Sequence, residues 1–390
     1  MEYILLIWLG GSVLLQLIYV MASLIPNKKN NPKNSGRLHH FTVMIPAYKE
    51  DSVILESALY ALSANYPKNH FNVMVLADQL KRETLDKLSL LPIQLVEVQF
   101  EKSTKVKALK KGMEQIGSKT EAIVILDADN LMDDHFLKEA NQALQSGSTV
   151  IQGQRIAKSE SNGLAILDAA SEAINNNILC KGANKLGLSA RLAGSGMVFK
   201  KEVFQEALFE MDTISGFDKT LEMKLTAKGH FLHYLPQAKV LDEKVSQGKA
   251  YSRQRGRWLA AQYQHAAGYF KSAFQGLVQG KVDHFQKWLQ LLFPPRLLSP
   301  FFLMLGLGLS YLGVFHFNTV WAVFFLCNLL VFLLALPLSF WNVNFIKSLL
   351  NIPATIAQTL VALTLIPKAT KEFIHTPHQL SPVPVKVKKQ

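Results

Sequence analysis

Two carboxylates stand one residue apart where an apolar run ends, in the segment AIVILDAD that closes on Asp127, Ala128 and Asp129. At a strand end, where the chain turns, such a pair can face one cleft and suits a hard divalent cation together with a diphosphate that the cation bridges. Carboxylates after strands also act as helix caps, so the surroundings must decide. Other polar residues fall at comparable points. Pro46, Ala47, Tyr48 and Glu50 follow the run FTVMI, and Asp78 follows the run NVMVLA.

The elements that must position these residues are short apolar runs alternating with helical stretches from Phe41 onward: FTVMI, VILESALYALSA, NVMVLA and AIVILD. Strands alternating with helices predict an α/β fold with a mainly parallel sheet covered on both faces. Ligands of such sheets sit beyond the carboxyl ends of the strands, which is where the polar residues fall.

The chain has 390 residues, 49% of them hydrophobic, a formal charge of +13 and a pI near 9.5. A basic balance serves nucleic acid, a sugar nucleotide or an anionic membrane surface. No Lys/Arg-rich arm with interleaved aromatics and no nucleic-acid module is present, so nucleic acid is excluded as the partner. Cys180 and Cys327 imply no disulfide framework. His39, His40, His230 and His233 lack a zinc spacing and read as packed or solvated side chains.

Residues 1–25 read as a retained transmembrane helix, with no basic residue ahead of the apolar stretch and no small-residue cleavage site after it. Lys28, Lys29, Lys33 and Arg37 follow at once, which places the N-terminus outside and the central region in the cytosol. Residues 26–37 read as a linker, 38–270 as the cytosolic domain and 271–296 as an amphipathic interfacial segment. Residues 297–340 read as two transmembrane helices, Leu297 to Phe315 and Thr319 to Phe340. Residues 341–367 carry Lys347, Asn351, Pro353, Gln358 and several Thr, and read as an interfacial or re-entrant segment, with a further full span as the second option. The basic tail 368–390, with Lys368, Lys371, Lys386, Lys388 and Lys389, then stays cytosolic. Gly10-Gly11 offers close helix packing in lipid without the G-x-x-x-G spacing.

Over about 220 residues the order of short motifs resembles the family 2 glycosyltransferases, the inverting GT-A group that includes the cellulose, chitin and hyaluronan synthases. IPAYKE (Ile45 to Glu50) resembles that family's first-strand motif, and YP (Tyr66-Pro67) and ADQ (Ala77 to Gln79) its second strand. TKVKAL (Thr104 to Leu109) resembles its Lys-containing segment before a helix, and DAD its metal motif. GSGM (Gly194 to Met197) resembles the acceptor-side loop, FDKTLEMKL (Phe217 to Leu225) the segment carrying the catalytic base, and QRGRW (Gln254 to Trp258) the Q-x-x-R-W pattern.

The resemblance implies Mn2+ or Mg2+ held by Asp129 and Asp127, with Asp127 also on the nucleotide. It places Asp78 and the backbone of Pro46, Ala47, Tyr48 and Glu50 on the base side, and Lys105 on the nucleotide or its phosphates. Arg257 is implied as a cation for the departing diphosphate, whose developing charge must be stabilised where it forms. Gln254, Trp258, Gly194, Ser195 and Gly196 are implied on the acceptor side. Inversion requires a carboxylate opposite the leaving group, and aligning Lys224-Leu225 with the family's Arg-Leu puts Asp218 there, with Asp242 and Glu243 in reserve. Phe217 stands where the family commonly has Glu, and Lys81-Arg82-Glu83 replaces the Asp often found after Asp78.

The expected partners are a nucleotide-sugar donor, expected to be UDP-linked, a saccharide or lipid-linked acceptor, and the lipid bilayer of a bacterial-type inner membrane. An oligomer or export partner would supply the helices that a secretion channel needs. The rival reading is a non-catalytic membrane scaffold or sugar-nucleotide sensor. A transporter is disfavoured by the few spans and their lack of paired charges.

Overall fold

The computed structural model describes residues 1–26, 36–213, 216–245 and 247–369. Most of the expected linker, including Lys28, Lys29 and Lys33, and the tail lysines Lys371, Lys386, Lys388 and Lys389 lie outside the described residues. Within the described residues the chain forms two compact units. One takes residues 36–160 and 189–244; the other takes 1–26, 161–188 and the described part of 245–369. The expected cytosolic span 38–270 therefore draws on both.

The first unit is built on eight strands: β1 (Phe41–Tyr48), β2 (Phe71–Asp78), β3 (Gln94–Val98), β4 (Ala122–Ile125), β5 (Leu131–Met132), β6 (Val150–Ala157), β7 (Met197–Lys200) and β8 (Leu232–Asp242). Their order is β3-β2-β1-β4-β7-β6-β8-β5. The pairs β1/β2, β2/β3, β1/β4 and β6/β8 are parallel. The pairs β4/β7, β6/β7 and β5/β8 are antiparallel, so the sheet is mixed rather than mainly parallel. The difference comes from β7, which enters between β4 and β6 running against both, and from β5, which runs against β8 at the sheet edge.

Both faces of the sheet are covered, as the strand–helix alternation predicts. Val43, Ile45 and Ala47 of β1 point to one core with Val73 and Val75, closed by Ile54 and Ala58 of helix Ile54–Leu62 and by Phe136, Leu137 and Ala140 of helix Phe136–Gln145. Met44, one residue out of step, points to the other core, with Val106 and Leu109 of helix Lys105–Glu114 and Leu221 and Leu225 of helix Phe217–Ala227. This period of two is the pleat of a strand buried on both sides.

In the second unit three helices are long and apolar enough to cross a membrane: Glu2–Ser23, Asn318–Ala335 and Val343–Thr364. Helix Ser299–Tyr311 has 13 residues, a rise of about 20 Å. That is short of a hydrocarbon core of about 30 Å. Arg296–Tyr311 is long and apolar enough to cross only together with Val282–Leu291, bent by 61°, as a broken span or a re-entrant loop. Residues 343–364 carry several Thr and Asn side chains. Thr355 Oγ1 donates to Asn351 O and Thr359 Oγ1 to Thr355 O, each at 2.8 Å, so both hydroxyls are satisfied inside the helix.

Gly10 packs directly under the Phe324 ring, while nothing stands within 4 Å of the space a Cβ of Gly11 would take. Glu2 closes the loop before Asn318–Ala335. Its carboxylate accepts from His316 N at 2.9 Å, Phe317 N at 3.1 Å and Trp321 Nε1 at 3.0 Å.

Candidate active site

The strand β1 runs on through Pro46, Ala47 and Tyr48, three residues that the sequence placed beyond it. Proline is tolerated there because β4 pairs with β1 only as far as Met44. On that side β1 is already an edge at Pro46. Tyr48 and Asp78 end β1 and β2 side by side, and Lys49 N donates to Asp78 O at 3.1 Å. Lys49 and Gln79, the next residue of each strand, both take left-handed backbone, at φ 56° and 55°. Non-glycine residues held there store strain of about 1–3 kcal/mol each, a feature of sites that fix a ligand.

Asp78 is 2% exposed, and its Oδ1 has no hydrogen-bond partner. Burial pushes this carboxyl up, against the pull of Ser103 and the Lys49 charge. Asp51, which the motifs did not single out, accepts from Lys81 N and Thr84 Oγ1, each at 2.7 Å, and so ties the two turns together. Glu50 is buried, and its carbonyl starts the following helix by accepting from Ile54 N at 3.1 Å.

The Asp127–Asp129 turn is clamped from several sides. Ser57 Oγ donates to Ala128 O at 2.6 Å, Asn130 N to Asp127 O at 3.1 Å, and Asp127 N to Ser195 Oγ at 2.9 Å. Lys105 opens a helix capped by Thr104, whose hydroxyl accepts from Lys107 N. The Lys105 ammonium pairs with Asp127 Oδ1 and donates to Gly194 O at 2.8 Å. Lys105 thus joins the Asp127 turn to the glycine loop.

Asp129 is 8% exposed. Asn130 Nδ2 donates to Asp129 Oδ1 at 3.2 Å and to Asp242 Oδ1 at 3.0 Å. Asp242 also pairs with Arg155 at 2.5 Å and with Lys244 at 2.7 Å. Burial acts to raise the Asp242 pKa, but the charges and hydrogen bonds of Arg155 and Lys244 outweigh it and hold the carboxyl below the usual carboxylate range. A carboxylate so saturated is an anchor, which removes Asp242 from the reserve of proton acceptors.

The glycine loop is held by β6. Gln152 Nε2 donates to Ser195 O at 2.9 Å while its Oε1 accepts from Ala193 N at 2.8 Å, and Arg155 donates to Ala193 O at 2.7 Å. Gly194 and Gly196 sit at φ 83° and 65°, which glycine alone adopts without strain. Ser195 is fully buried, and its hydroxyl accepts from Asp127 N at 2.9 Å, which braces the turn. Asp218 lies half-buried in the first turn of helix Phe217–Ala227, where an anion is favoured.

Gln254, Arg257 and Trp258 lie in the other unit, on helix Gly248–Val278. There Arg255, between the motif positions, stacks on the rings of Tyr251 and Trp258, at 5.0 and 4.7 Å, and pairs with Asp168 at 2.6 Å. The guanidinium covers part of Trp258, which stays 42% exposed. Burial lowers the Arg257 pKa. Gly256 packs so tightly that a Cβ would stand 3.2 Å from Ala362 O.

His39 Nδ1 bonds Asn141 Oδ1 at 2.7 Å, and His40 stacks on His70. No group of three or more His, Cys, Asp or Glu side chains is placed to hold a metal among the described residues. Asp127 and Asp129 offer hard oxygen donors, which fits a cation of the Mg2+ or Mn2+ type that takes most of its ligands from a bound diphosphate.

A family model described as glycosyltransferase like family 2 matches residues 39–261, more than half of the chain. The chain belongs to glycosyltransferase family 2. The fold is that of GT-A glycosyltransferases. Mannosyltransferase PcManGT from Pyrobaculum calidifontis, solved with GDP-Man and Mn2+, superposes with a TM-score of 0.61 at 18% identity, covering 94% of this chain and 97% of that one. The S. aureus TarS 1–349 structure with UDP-GlcNAc gives a TM-score of 0.44 at 13% identity, covering 85% and 91%. No curated protein matches by sequence.

Proposed function

We propose that this family 2 glycosyltransferase moves a sugar, with inversion, from a nucleoside-diphosphate sugar to a saccharide or lipid-linked acceptor at the inner face of a plasma membrane. The observation that carries the reading is the convergence of Lys105, Asp127 and Gly194 beside Asp129, beyond the ends of the parallel strands. Asp78 and the strained turns after β1 and β2 bind the base and ribose, and Lys105 meets the diphosphate. Asp127 and Asp129 would hold Mn2+ or Mg2+, which when bound supplies positive charge to the diphosphate.

In the transfer itself Asp218 takes the proton of the acceptor hydroxyl as that oxygen bonds to the anomeric carbon. The bond from that carbon to the diphosphate oxygen breaks on the opposite face, and the nucleoside diphosphate leaves with the electron pair. Lys105 meets the charge that develops there. The resemblance to the Q-x-x-R-W pattern supports a cationic role for Arg257 and, for Trp258, an apolar face for an acceptor ring. The three long apolar helices support residence in a membrane. Synthesis of a polysaccharide or a glycolipid follows from the likeness of the motifs to the polymer synthases.

The test is release of nucleoside diphosphate by the full chain in detergent with Mn2+ or Mg2+, across UDP- and GDP-sugars. Metal-dependent release from one donor is expected, with Asp129→Ala reducing it on the order of a hundredfold or more. No release from any donor in the presence of membrane extract would instead favour a scaffold or sensor.

A further inference from the structure

The Lys105 ammonium has three N–H donors. Asp127 and Gly194 O accept from it. It also lies over the ring of Phe217, 5.3 Å from the centroid, within the range of a cation–π contact. Phe217 is 7% exposed and packed into the core that contains Leu221, Leu225 and Phe204, so its ring is held in place. The motif resemblance implies a glutamate at this position, and the chemistry of the exchange is specific. A glutamate would give Lys105 a second carboxylate beside Asp127, and the three groups together would carry a net negative charge. The ring attracts the ammonium through its quadrupole and adds no formal charge.

We infer that Phe217 is a positioning residue for the donor diphosphate: its ring holds Lys105 beside Asp127 and Gly194 without competing with the phosphates for that charge. The inference rests on the donor-site reading above. An arriving diphosphate then competes with one carboxylate, Asp127, for the ammonium rather than with two, because the third contact is a neutral ring. Phe217 adjoins Asp218 in the chain, so the same turn of helix that steadies the donor cation also carries the proton acceptor.

Calorimetric titration of the full chain in detergent with UDP and with GDP tests this without relying on turnover. Wild type is expected to bind at least one of the two. Phe217→Tyr, which keeps the ring, should bind it within about twofold of wild type, and Phe217→Leu about fivefold more weakly. Phe217→Glu should weaken binding on the order of tenfold or more, because it adds an anion near the phosphates. With Lys105 already replaced by Ala, the Leu and Tyr variants should bind alike, which separates a role through Lys105 from packing alone. Equal losses from Phe217→Leu with and without Lys105, or Phe217→Glu binding as tightly as wild type, would overturn the inference. So would an unchanged affinity for Phe217→Leu while wild type binds. Failure of wild type to bind either nucleotide would overturn the donor-site reading and this inference with it.

Discussion

In the sheet unit the polar side chains sit on backbone that other elements clamp, whereas in the helical unit Trp258 shares one helix with Arg255 and is braced by it. The Asp127–Asp129 turn is held by Ser57, Asn130 and Ser195, and the glycine loop by Gln152 and Arg155. Trp258 has a side-chain stack instead, through Arg255 to Asp168. Hydrogen bonds to backbone fix an atom's place through many covalent constraints, and a surface stack fixes it through a few soft torsions. The first arrangement suits the diphosphate contacts proposed for the sheet unit, and the second suits the acceptor face proposed for Trp258.

The comparison can be broken first at Asp242, the buried anchor of the sheet unit. Asp242→Ala leaves Arg155 and Lys244 buried without their shared anion, and a loss of about 3–5 kcal/mol in chemical denaturation is expected at pH 7. The sign with pH follows from the depressed carboxyl. Its contribution is complete above the unfolded pKa of about 3.9. It is lost as pH falls through the lower folded value. The gap between wild type and Asp242→Asn should therefore narrow only below about pH 4. A gap that stays constant down to acid unfolding would remove the ionic part of the anchor.

A smaller effect is expected in the helical unit. Gly256→Val must push against Ala362 O and Leu365, at a cost of about 1–3 kcal/mol. Gly268→Val, on the same helix with nothing within 4 Å, should be near neutral. Equal melting temperatures for the two variants would show that the helix is not held closely at Gly256.

What the sequence made legible was local. The alternation of strands and helices, the carboxylates closing β4, the lysine that opens a capped helix and the glycines of the loop all declare themselves within ten residues. The struts did not, because each joins distant segments: Ser57 to Ala128, Asn130 to Asp242, Gln152 to Ser195. Asn130 lies beside the metal motif yet carries no motif signature of its own, and a neighbouring amide was the one hint available. The antiparallel entry of β7 was hidden because a four-residue strand reads alike in either direction. Segment 161–188 belongs with the apolar helices, although its own composition is that of an ordinary amphipathic helix. The run from Val343 hid its length because its Thr hydroxyls bond within the helix.

The most direct test of the account is to compare nucleoside-diphosphate binding with sugar transfer in Asp218→Asn, once the donor is known. Binding within about twofold of wild type, with transfer reduced on the order of 10²- to 10⁴-fold, is the expected result, because the proton acceptor is removed and the donor site is left whole. Transfer at the wild-type rate would contradict the account and return the search for the base to the other carboxylates of the chain.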